Sequence, residues 1–142
     1  MKTVKVTEHD IQASFFNWVD NMALFDWRYK NIFAVPNARV SHHRYYSNEG
    51  MRSGVPDVFV AYPSENHPGL FIEFKSAKGR LSTNQADWIE RLKKAGYPCF
   101  VINNWEEAVR IVRKYLGANT RKGSKPTSKA SQPNPSGGIH ED

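Results

Sequence analysis

Apolar residues in the first third of the chain recur at Ile11, Phe15, Trp18, Val19 and Met22, the spacing of one buried helix face. Thr7 is a good N-cap for that helix, with Glu8 and Asp10 in its first turn. The period then changes. Short apolar runs at Asn31–Val35, Asp57–Tyr62, Leu70–Lys75 and Tyr97–Ile102 have the length and side-chain types of strands. Pro36 ends the first run. Residues 63–69 (PSENHPG) are dense in turn formers, so the second and third runs read as a hairpin. Ser82-x-x-Gln85 is a capping box that opens a helix running to about Ala95, with Gly96 placed to end it. Asn104, followed by Glu107, caps a last helix carrying Trp105, Val109, Val112 and Leu116 ahead of Gly117. The order α-β-β-β-α-β-α predicts an α/β fold, a central mixed sheet flanked by helices on both faces.

Two stretches fall outside these elements. Asn37–Gly54 is long, basic and contains Ser and Gly, so it is expected to be mostly loop. Gly117–Asp142 has one large apolar residue, Ile139, and is rich in Ser, Pro, Gly and Lys. Too little surface can be buried there to offset ordering entropy, so the expected organisation is a domain over 1–116 and a disordered basic tail. Arg121, Lys122, Lys125 and Lys129 suit the tail either to gather nucleic acid non-specifically or to act as a solubilising terminus.

Composition narrows the class. A length of 142 residues fits one domain. No apolar run approaches the ~20 residues of a membrane span, and MKTVKVTEHD lacks the apolar stretch of a secretory signal. One cysteine, Cys99, excludes an internal disulfide and a Cys-rich zinc cage, and its place in an apolar run reads as packing. A cytoplasmic location is expected. Lys and Arg number 20 against 14 Asp and Glu, a formal charge of +6, which favours a polyanionic partner. There is no phosphate-cradling G-x-x-x-x-G-K-[ST] loop.

Three ionisable residues interrupt the apolar runs. Asp57 opens a strand directly after Pro56, and Glu73 and Lys75 sit inside the next one. Residues two apart on a strand share a face, so Glu73 and Lys75 lie with Phe71, opposite Leu70, Ile72 and Phe74. If the strands pair, Asp57 approaches Glu73. Two carboxylates, with the backbone carbonyl of Phe74 between the polar residues, form a hard-oxygen set suited to Mg²⁺ or Mn²⁺. An adjacent ammonium can orient a water or stabilise charge growing on a phosphate. Taken alone, the same spacing also suits an exposed ion pair of little energetic weight, with Asp57 a turn residue.

The ordered set Gly50-Met-Arg52-Ser-Gly54-Val-Pro-Asp57, then Ile-Glu73-Phe-Lys75, then Gly79-Arg-Leu-Ser-x-x-Gln85-x-x-Trp88 resembles the VRR-NUC domain of the PD-(D/E)xK nucleases. The resemblance covers roughly Thr7 to Leu116. It implies a restriction-endonuclease-like core, similar in fold to Holliday-junction resolvases, and a divalent-metal-dependent endonuclease acting on DNA. Asp57 and Glu73 match the metal-binding carboxylates, Lys75 the catalytic lysine and Gln85 the motif glutamine. Glu8 matches a first-helix glutamate used near the metal, with Gln12 one turn on as a weaker candidate. Glu8 and Gln85 also have simpler roles, as a helix-dipole partner and a capping-box residue. A four-way junction would be served by a homodimer with two symmetric centres, and the chain has no room for a separate sequence-reading domain.

The loop before Asp57 gathers Arg39, His42, His43, Arg44, Tyr45, Tyr46 and Arg52. Arginine grips phosphate and aromatic rings stack on exposed bases, so the loop is a candidate nucleic-acid contact; it also reads as a solvated basic loop. His42 and His43 have no partners at zinc spacing. A non-catalytic nucleic-acid-binding module on the same scaffold is the alternative function, and the intact Asp57…Glu73-x-Lys75 set argues against it.

Overall fold

The computed structural model describes residues 2–36, 49–64 and 66–117. Arg39, His42, His43, Arg44, Tyr45 and Tyr46 of the basic loop, and the segment 118–142, lie outside the described residues.

Helix α1 spans Glu8–Ala23 and starts where Thr7 predicts. Thr7 Oγ1 accepts from the Asp10 N–H, and Asp10 Oδ2 accepts from the Thr7 N–H at 2.8 Å, so both arms of a capping box are made. A 3-10 turn, Trp27–Asn31, leads into strand β1, Ile32–Ala34. Strands β2 (Val58–Val60) and β3 (Leu70–Phe74) follow, then helix α2 (Thr83–Lys94), strand β4 (Cys99–Ile102) and helix α3 (Trp105–Leu116).

The sheet order is β1-β2-β3-β4, with the first two pairings antiparallel and β3–β4 parallel. Helix α2 is the crossover that a parallel pair requires. Even-numbered β3 residues Leu70, Ile72 and Phe74 enter a core with Phe15 and Val19 of α1 and Ala108 and Val112 of α3. Phe71 faces the other way and packs with Ile89 of α2, Cys99 and Phe59. Covered on both faces, β3 is buried at all five positions. Among the described residues no helix is long and apolar enough to cross a membrane.

The observed strands are shorter than the apolar runs, for identifiable reasons. Asn31 closes the 3-10 turn instead of opening β1. The Tyr97 N–H is taken by the Leu92 carbonyl at the end of α2, so β4 starts at Cys99. Trp27, which no periodicity places, begins the 3-10 turn and meets the Tyr62 ring edge-on at 5.8 Å. A buried pair that the apolar pattern did not flag, Asp26–Arg28 at 2.7 Å, ties the 3-10 turn to α3: Arg28 Nη1 donates to the Leu116 carbonyl at 2.7 Å.

Candidate active site

The β2–β3 register sets Val58 opposite Ile72. One step further it sets Asp57 opposite Glu73, on the sheet face that α2 covers. Strand β3 directs the Lys75 N–H to β4, where the Ile102 carbonyl accepts it at 2.9 Å. The Phe74 N–H therefore points toward β2, where the facing chain has reached Pro56. Asp57 Oδ2 accepts that N–H at 2.8 Å. The Asp57 carbonyl meanwhile accepts from the Val35 N–H at 2.7 Å. The aspartate thus fills a ladder position with its side chain and is fixed on both sides.

Glu73 and Lys75 share the predicted face, and they are not a solvent-exposed pair: Glu73 is 1% exposed and Lys75 7%. Lys75 Nζ lies 3.4 Å from Glu73 Oε1. Gln85, 5% exposed at the first turn of α2, donates from Nε2 to the same Oε1 at 2.6 Å. Its Oε1 accepts from the Ser82 N–H at 2.9 Å, so the capping role and the contact with the acid hold together. Glu73 Oε2 is buried with no hydrogen-bond partner among the described residues. Burial, and next the charge of Asp57, push the Glu73 carboxyl up to about 7 against the opposing pull of Lys75.

Helix α1 brings Glu8 in from the other face. Its Oε1 lies 3.5 Å from the Ser76 N–H just beyond β3. Glu8 and Gln12 line a cleft of about 400 Å³ together with Asp57. Arg52 is exposed on the segment that climbs to Asp57, and its Nη1 donates to the Met51 carbonyl at 3.2 Å. Asp57, Glu73, Lys75 and Gln85 are therefore brought together, with Glu8 at the rim.

One residue shapes the site without contributing a functional group. Gly54 has φ +91 and is buried against the start of α2; a Cβ there would stand 2.6 Å from the Asn84 carbonyl carbon. Only glycine permits that approach, which seats the Asp57 segment beside Gln85. Its signal was the Gly-x-Pro-Asp spacing in the quoted motif.

The site's chemistry fits a hard cation. Among the described residues, a buried carboxylate oxygen without a hydrogen-bond partner, a second carboxylate opposite it across the strands and the Phe74 carbonyl at the strand end are all oxygen donors. Among the described residues no group of three His, Cys, Asp or Glu side chains is gathered for a metal. A cation here would rest on two carboxylates completed by backbone and water, the sparse protein ligation typical of Mg²⁺ rather than of zinc.

The model of the VRR-NUC domain matches residues 5–105. A solved structure described as a VRR_NUC domain protein aligns with a TM-score of 0.68 at 21% identity, covering 80% of this chain and 90% of its own, a likeness of fold. No curated protein matches the chain. With the motif residues Asp57, Glu73, Lys75 and Gln85 brought together at one end of the mixed sheet and the match spanning most of its length, the chain belongs to the VRR-NUC domain family and has the nuclease-type fold of the PD-(D/E)xK superfamily.

Proposed function

We propose that the protein is a divalent-metal-dependent endonuclease that hydrolyses DNA phosphodiesters at the Asp57–Glu73–Lys75 centre. The observation that carries this reading is the buried Glu73 carboxylate, held at Oε1 by Gln85 and Lys75 and, among the described residues, without a hydrogen-bond partner at Oε2. A buried acid half-satisfied in this way is costly unless a cation or proton completes it.

Asp57, Glu73 and the Phe74 carbonyl would hold Mg²⁺ or Mn²⁺, with Glu8 reaching the rim. When bound, such an ion lowers the pKa of a coordinated water and neutralises phosphate charge. The protein's own contributions are positional. Asp57 is locked by the Phe74 N–H, and Glu73 by Gln85. Lys75 presents a positive charge beside Glu73, where it can stabilise charge on the phosphate as water attacks phosphorus. The new P–O bond forms as the attacking water gives up a proton to solvent and the bond to the leaving sugar oxygen breaks, and that oxygen takes a proton from solvent.

The reading extends to substrate and assembly. Branched DNA such as a Holliday junction is the proposed substrate, and a homodimer would present two centres to it. Arg39, His42, Arg44, Tyr45 and Arg52 are the proposed strand contacts, and the cytoplasm the proposed location. The second reading, a non-catalytic DNA-binding module, gains support only from basic residues.

Purified protein incubated with branched and linear DNA in Mg²⁺, Mn²⁺ or chelator, beside Glu73→Ala and Lys75→Ala, tests this. Metal-dependent cutting by the wild type alone is expected. Equal cutting by all three proteins would remove the assignment, and tight binding without cutting would establish the second reading.

A further inference from the structure

Beside the acidic cleft lies a second one, of about 330 Å³, lined by Val35, Pro36, Met51, Arg52, Val55 and Trp88. The two clefts share Val35 and Pro36 as a common wall. Trp88 sits one helical turn after Gln85, the residue that holds Glu73, so the helix sets its place relative to the site. Arg91 lies over that ring at 4.5 Å. Among the described residues the lining is apolar apart from Arg52 and Glu49, and Glu49 is exposed, as is Arg52.

We propose that this cleft receives an unstacked nucleobase of the nucleotide next to the scissile phosphate. The inference rests on the nuclease reading and specifies its substrate class: DNA with an unpaired nucleotide at the cleavage point, as in a flap, bulge or branch. A strand whose phosphate lies at Asp57 and whose path crosses the shared wall brings the neighbouring base within reach of the apolar cleft. The volume is at the small end for ligand pockets, a size that suits one base and not a base pair. Tryptophan backed by a guanidinium is a strong stacking surface, and every base has a π-face to offer it. Arg52 stands where it can meet the phosphate of the same nucleotide. A base paired in a duplex cannot enter without paying its unstacking energy, which makes the cleft selective for strands already unpaired.

The test begins with wild-type protein, so no variant needs to fold. Abasic sites are placed singly at the nucleotides flanking the cut in a branched substrate, and 2-aminopurine is placed at the same positions for fluorescence in chelator. One position is expected to lose binding by roughly 5- to 150-fold when abasic, and to show aminopurine quenching on binding. Trp88→Leu should abolish that dependence and the quenching, Trp88→Phe should restore much of both, and affinity for fully paired duplex should stay within about twofold. Indifference to every abasic position overturns the proposal, whether the cleft is filled by the chain itself or not used. Because binding is read in chelator, base-dependent binding without cutting would reject the nuclease reading while keeping the cleft; cutting without base dependence would do the reverse.

Discussion

Gln85 Nε2 donates to Glu73 Oε1 at 2.6 Å, while the same amide's oxygen caps α2 through the Ser82 N–H. One side chain therefore joins helix initiation to the orientation of the central acid. Gln85→Ala is expected to destabilise the fold by about 2–4 kcal/mol, a charged hydrogen bond and a cap combined. Ser82→Ala should cost only about 1 kcal/mol and leave cleavage largely intact. Gln85→Glu separates the two roles, since it keeps the cap acceptor but sets a second carboxylate against Glu73. Chemical denaturation with parallel cleavage assays of the three variants checks this order.

Asp57 also does two jobs, and they can be split. Asp57→Asn retains an acceptor for the Phe74 N–H and removes the charge. Its stability should stay within about 1 kcal/mol of the wild type, with cleavage lost. Asp57→Ala orphans that N–H and should cost about 1–3 kcal/mol as well. Thermal melts beside metal titration distinguish the two.

At Gly54 a methyl group would meet Asn84 backbone at 2.6–2.8 Å on a chain already at φ +91. Gly54→Ala should therefore cost more than the ~1–2 kcal/mol of left-handed strain alone, and lower cleavage through a displaced α2. Gly50, at φ +92 with no described residue within 4 Å of a Cβ, should show the strain alone. Comparing the denaturation midpoints of Gly54→Ala and Gly50→Ala separates contact from backbone cost.

Stability should respond to pH in opposite senses at two acids. Hydrogen bonding from Arg28 holds the Asp26 carboxyl below its ordinary 3.8, so its contribution is present above that value and lost as acid carries the pH through the lower folded one. Glu73 is raised from 4.5 to about 7, so in metal-free protein its contribution is present below 4.5 and lost as pH rises through about 7. Melting temperatures from pH 3 to 8.5, with Asp26→Asn and Glu73→Gln as references, should show both slopes. Added Mg²⁺ should flatten the second, because a cation replaces the proton on Glu73. A metal-insensitive slope above pH 6 would speak against Glu73 as a ligand.

Much of this was legible in the residues because local signals agreed with the global fold. Thr7, Ser82 and Asn104 mark the helix starts, and the alternation in Leu70–Phe74 sorts the strand's two faces correctly. The adjacency of Asp57 and Glu73 followed from the hairpin reading. Other features lay beyond one-dimensional pattern. Burial of Glu73 and Lys75 depends on α2 closing over them, which spacing two apart on a strand does not reveal. The Arg28 link to Leu116 joins residues far apart in sequence, and Gly54 acts through a helix that follows much later.

The Phe74 N–H is stitched to a side chain where a sheet ordinarily uses backbone. An acid recruited as a rung of the ladder inherits the stiffness of the whole sheet and needs no scaffold of its own. Redesign of this centre is constrained accordingly: the aspartate cannot be moved to another position without re-laying the edge along which β2 and β3 part.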